Sequence, residues 1–130
     1  MPKTDFRKKL GDRGEILACQ FLLGKGYTLV QKNFLICGGQ IDLIMYSPQG
    51  NLVFVEVKTR RAARQPETRP EIRIGPLQLL AIRRAARRFL AANKFPFASW
   101  QLDLIWIHLE PDAFPSPQAK IKHYQNILET

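Results

Sequence analysis

The chain has 130 residues, 45% of them apolar, and 20 Lys and Arg against 11 Asp and Glu give a net charge of +9. That length suits one domain with a single core, and so large a charge on it favours a polyanionic partner, nucleic acid first, while equally suiting a ribosome-associated or merely soluble basic protein. Cys19 and Cys37 lack C-x-x-C spacing, no apolar run reaches the roughly 18 residues of a membrane span, and MPKTDFRKKL has no apolar signal core; a zinc cluster, a disulfide framework and a membrane protein are therefore excluded, and a soluble cytoplasmic protein is expected.

Between about residues 5 and 25, Leu10, Leu17, Ala18, Phe21 and Leu22 fall on one arc at about 100° per residue, which predicts an amphipathic helix ending at Gly24 or Gly26. Glu15 sits at the border of that arc, beside Ala18 and Leu22. It either faces the sheet or is a solvated acid near a helix start, where the macrodipole favours negative charge. Residues 27 to 34 are rich in β-formers and read as a strand. Residues 41 to 46 and 52 to 58 read as two more, joined by Ser-Pro-Gln-Gly-Asn in a hairpin.

Residues 60 to 76 are rich in arginine, proline and glycine and read as a mobile basic loop. A second helix follows over 76 to 92, a fourth strand over 100 to 109, a proline-containing connection over 110 to 117, and a short edge element over 120 to 128. The order α-β-β-β-α-β predicts an α/β domain with a mixed central sheet flanked by helices.

Side chains alternate across a strand, so Gln40, Asp42 and Ile44 share one face and Phe54, Glu56 and Lys58 share one face of the next strand. If Ser47 to Asn51 form the loop, Tyr46 pairs with Leu52. Asp42 then lies opposite Glu56 and Gln40 opposite Lys58, with β-carbons roughly 5 Å apart. Facing carboxylates repel unless a proton or cation lies between them. Two readings stand: an ion pair of Glu56 with Lys58 at a sheet edge, or oxygen donors for a hard divalent cation, Mg²⁺ or Mn²⁺.

In the second helix Arg83, Arg84, Arg87 and Arg88 form a basic stripe opposite Ile82, Ala86, Phe89 and Leu90. Arg60, Arg61, Arg64, Arg69 and Arg73 add a second cationic cluster just after Lys58. Both suit backbone phosphates, and the stripe equally suits a solvated helix face. Trp100, Trp106, Tyr27 and Phe34 lie in predicted strands and read as core rather than as base-stacking groups. His108 and His123 have no ligand spacing and read as surface or edge residues. Asp103 carries no assignment.

The segments G-x-x-G-E at Gly11 to Glu15, G-G-Q-I-D-L-I at Gly38 to Ile44, and L-V-F-V-E-V-K-T-R at Leu52 to Arg60 together resemble the YraN-like bacterial family. That family is similar to archaeal Holliday-junction resolvases and to the PD-(D/E)XK nuclease superfamily. The resemblance implies a restriction-endonuclease-like fold and a divalent-metal-dependent endonuclease hydrolysing phosphodiester bonds. Carried over by position, it makes Glu15, Asp42 and Glu56 metal ligands together with the Val57 carbonyl, and Lys58 the residue that orients water or stabilises the transition state. It implies Mg²⁺ or Mn²⁺ as cofactor and DNA ahead of RNA as partner, with a homodimer open.

Two positions depart from the family pattern: Gln40 stands where Gly-Glu-Ile-Asp is usual, and Gln78 where a lysine is usual. Both fall close to the expected site and would modify metal or phosphate binding. The alternatives to an active enzyme are a catalytically weakened nucleic-acid-binding module of the same fold, or a basic domain that docks on an acidic protein.

Overall fold

In the computed structural model residues 3–36, 39–61, 74–93, 99–110 and 118–128 are described. The chain runs α1 (Lys3–Gly24), β1 (Thr28–Ile36), β2 (Gly39–Tyr46), β3 (Leu52–Arg61), α2 (Pro76–Ala92), β4 (Trp100–Glu110) and β5 (Gln118–Tyr124). The strands form one sheet in the order β1-β2-β3-β4-β5. All neighbours are antiparallel except β3 and β4. A parallel pair needs a crossover, and α2 lies within that connection. The result is a mixed five-stranded α/β sheet with two helices. Among the described residues no helix is long and apolar enough to cross a membrane.

Two apolar layers cover the sheet. On one side Ile82, Ala85, Ala86 and Phe89 of α2 pack on Ile44, Phe54, Leu102 and Leu104. On the other, Ala18, Cys19 and Leu22 of α1 pack on Leu43, Val53, Val55, Ile105 and Ile107. The predicted arc of the first helix is the one that buries Ala18 and Leu22. Helix α2 begins with Pro76 in its first turn after an extended Gly75, where a missing N–H costs nothing, and ends with Asn93 donating to the Phe89 carbonyl.

Gly14 marks the closest approach of α1 to β3. A Cβ there would collide with Thr59, standing 2.9 Å from its Cβ and closer still to its hydroxyl. Only a residue without a side chain lets the helix rest directly on the strand at that point.

Several expectations change. Arg60 and Arg61 belong to β3, because the strand outruns the expected 52 to 58; the remainder of the expected loop, with Arg64, Arg69 and Arg73, lies outside the described residues, as does Cys37. The last element is a strand over Gln118–Tyr124 paired with β4. His108 is 6% exposed and is no surface residue. His123 lies on the edge strand, yet its side chain is buried against Asp103, with Nε2 2.7 Å from Oδ2. Asp103, fully buried, also accepts from the Asn126 backbone N–H at 2.8 Å and from Gln101 at 2.9 Å. A buried carboxylate needs such partners, and here they tie β5 and the turn after it to the sheet.

Candidate metal centre

Strand β2 loses its pairing with β3 at Asp42. The β2–β3 register runs from Tyr46↔Leu52 to Leu43↔Val55 and stops. On the other side, the β1–β2 register passes from Lys32↔Leu43 to Phe34↔Ile41 without pairing Asn33 with Asp42. Asn33 has φ 50, a left-handed conformation that Asn tolerates better than most residues. The carboxylate fills the gap: Asp42 Oδ2 accepts the Val57 backbone N–H at 2.8 Å. The sequence register therefore holds up to Leu43↔Val55, and the ladder opens where the carboxylates begin, so the expected pairs of Asp42 with Glu56 and of Gln40 with Lys58 are not ladder partners.

Glu56 is buried and lies near Asp42 at that opening, close enough for the charge of Asp42 to bear on it. Glu56 Oε1 also accepts from Gln78 Nε2 at 3.1 Å and lies 3.4 Å from Lys58 Nζ. Burial raises the Asp42 pKa above the ordinary carboxylate range, and the Val57 N–H and Lys58 pull against it. Burial, then the Asp42 charge, push Glu56 up to about 7, with Lys58 again opposing. The ion pair and the neighbouring carboxylates thus coexist, and desolvation outweighs the lysine.

Glu15 comes from the opposite layer. It is half-buried, and burial followed by the charge of Asp42 raises its pKa to about 7. Although it comes from α1, Glu15 feels the charge of Asp42, together with those of Asp12 and Lys32. Its approach is looser: among the described residues no three His, Cys, Asp or Glu side chains stand close enough together to hold an ion unaided.

A cleft of about 400 Å³ lies over the pair, lined by Gln40, Asp42, Glu56, Leu77, Gln78, Ala81 and Ile82. Glu15 and Lys58 are not among its lining residues. Gln40 is exposed, and its amide donates to Asn33 Oδ1 at 3.2 Å and to Asp42 Oδ1 at 3.4 Å. Gln40 and Gln78 thus touch the carboxylates. Periodicity does not single out Asn33; an Asn inside a β-rich run, where it is disfavoured, is the signal that could have found it.

Arg83, Arg84, Arg87 and Arg88 are all exposed on α2. Helical spacing continues the line of Leu77 and Ala81 from the cleft to Arg84 and Arg88. Arg60 is half-buried, its guanidinium 5.4 Å from the centre of the Trp106 ring and bonded to the Thr59 carbonyl. Trp106 is buried, and Phe34, Trp100 and Tyr27 pack against the two apolar layers.

Comparison with known proteins places residues 14–107 within a single family model, described as Uncharacterised protein family UPF0102. A UPF0102 protein of Pelobacter propionicus is 34% identical over 123 residues, covering 94% of this chain and 84% of the relative. Another, from Desulforamulus reducens, is 34% identical over 125 residues, with 94% and 97% covered. A third, from Roseiflexus castenholzii, is 36% identical over 127 residues, with 97% and 98% covered.

Proposed function

This chain belongs to the UPF0102 family, and from that membership and its carboxylate cleft we propose that it is a nucleic-acid-binding, divalent-metal-dependent endonuclease of restriction-endonuclease-like architecture. The observation that carries the reading is the pair of half-buried Asp42 and buried Glu56 at the open end of a ladder, with a lysine on one of them. Two like charges drawn out of water are an unfavourable arrangement for stability alone.

The donor set fits Mg²⁺ or Mn²⁺. It consists of hard oxygens without thiol or imidazole, and Mg²⁺ sites use one or two carboxylates with water and substrate phosphate completing the shell. Asp42 and Glu56 would hold the ion with the Val57 carbonyl, and Glu15 would join from α1. Such an ion, when bound, lowers the pKa of a water and neutralises charge on a phosphate.

The chain's own groups do the positioning. The Val57 N–H fixes the Asp42 carboxylate, and the Gln78 amide fixes that of Glu56. Lys58, held 3.4 Å from Glu56, supplies a cation beside the site to orient the attacking water and offset negative charge developing on the phosphate. Arg84 and Arg88 lead from the cleft along α2 and would hold flanking phosphates. The test is cleavage of end-labelled DNA and RNA with Mn²⁺, Mg²⁺ or chelator. Cleavage that needs the ion and disappears in Glu56→Ala supports the reading; equal cleavage in Glu56→Ala rejects it.

The Gln78 contact favours a second reading. Its amide N–H occupies a Glu56 oxygen that a metal would use, as in a binding module with weakened catalysis. Salt-sensitive binding without metal-dependent cleavage would select it.

A further inference from the structure

We propose a second anion site on the same sheet face: a subsite for a nucleic-acid phosphodiester built on Trp106 and His108. The registers put two rows of donors side by side. Lys58 pairs with Trp106, which pairs with Lys122; Arg60 pairs with His108, which pairs with Lys120. Residues in register share a face, and the rows stand two residues apart along the strands, about 7 Å. Arg60, lying over the Trp106 ring, bridges the two rows on one side of the sheet. The preceding row on that face contains Glu56 and Leu104, so the subsite adjoins the carboxylates.

Its chemistry is one-sided. All six side chains can donate, and four carry positive charge. Lys58 reaches Glu56, and Lys120 lies 3.9 Å from Glu110. At the centre, Trp106 Nε1 and His108 Nε2 are buried and have no hydrogen-bond partner among the described residues; the residues are 3% and 6% exposed. An indole N–H only donates, so its missing partner must be an acceptor. The cations around it select an anionic acceptor, and a phosphodiester offers two charged oxygens to the two rows. Arg60 lies over the indole ring, which places a guanidinium beside the buried Nε1. That this anion is nucleic-acid backbone rests on the function proposed above; the donor arrangement does not.

The test is metal-free. Anisotropy of a labelled dT8 oligonucleotide is measured for wild type, Trp106→Phe, His108→Leu, His108→Gln and Lys122→Ala, each checked for folding by melting. Trp106→Phe keeps the ring and removes the donor, and should weaken binding about tenfold, the value of one hydrogen bond to a charged group. His108→Leu should weaken binding likewise, and His108→Gln, which keeps a donor, should restore most of it. In a Trp100→Phe background the Trp106 fluorescence should respond to dT8 at concentrations where inorganic phosphate at equal ionic strength has no effect. A response to inorganic phosphate alone assigns the site to free phosphate and overturns the phosphodiester. Unchanged dT8 affinity in folded Trp106→Phe also overturns the proposal, leaving those donors to water. Failure of Mn²⁺ to act at Asp42 and Glu56 would remove the nuclease reading without altering these affinities.

Discussion

Glu56→Gln removes a charge while keeping nearly the same shape, and its effect depends on pH in a direction the structure fixes. The Glu56 pKa stands at about 7 in the folded chain against an ordinary 4.5, chiefly through burial and then through Asp42. A raised carboxylate pKa means that the folded state keeps a proton which the unfolded state has lost. Stability therefore falls as pH rises from 4.5 to about 7, and the full cost persists above. At about 1.4 kcal/mol per pH unit, that interval corresponds to roughly 3 kcal/mol. Urea unfolding of metal-free protein at several pH values measures it. Wild type and variant should agree below about pH 4, where Glu56 is protonated in the folded and unfolded states alike, and by about pH 8 the variant should be the more stable by up to roughly 3 kcal/mol. Asp42 and Glu15 are raised too and leave a smaller slope in the variant. A variant less stable than wild type at about pH 8 would refute this reasoning, since it would make attraction to Lys58 the dominant force on Glu56.

Gly14→Ala should destabilise by about 1–3 kcal/mol through overpacking against Thr59, and adding Thr59→Ala should return part of that loss in a melting experiment; strictly additive losses would mean that helix and strand do not meet there. Asp103→Ala should cost about 3 kcal/mol or more, because it strands His123 and the Asn126 N–H, and a melting midpoint equal to wild type would contradict that network. Replacing Arg84, Arg87 and Arg88 by Ala should flatten the log–log dependence of DNA affinity on salt by about 0.9 for each phosphate that is no longer neutralised. An unchanged slope would place the phosphates away from α2.

Much of this arrangement is legible in the sequence because it depends on short-range periodicity. Tyr46↔Leu52 is the pair that the five-residue loop dictates, and the register it sets runs to Leu43↔Val55, one step short of Asp42 and Glu56. The burial of Ala18 and Leu22 and the exposure of the four α2 arginines follow from the helical repeat in the same way. What periodicity misses depends on long-range packing. Asp103 and His123 are 20 residues apart and meet only because β5 pairs with β4. The left-handed backbone of Asn33, beside Asp42 in the β1–β2 register, is a local feature that alternation does not encode. Thr59 explains Gly14 only once α1 rests on β3. Arg60 reads as loop because charged residues are counted against strands, yet the parallel pairing with β4 carries β3 through Arg61.

The claim that Asp42 and Glu56 form a divalent-cation site is tested most directly by the melting temperature of wild type and Asp42→Asn with and without Mn²⁺ at fixed ionic strength. An ion that binds only the folded state at a hundred times its dissociation constant adds about 2.7 kcal/mol. Wild type should therefore melt higher with Mn²⁺, and Asp42→Asn, more stable than wild type without metal because the repulsion is gone, should gain little from it. An absent shift in wild type at saturating Mn²⁺, or an equal shift in both proteins, would contradict the site.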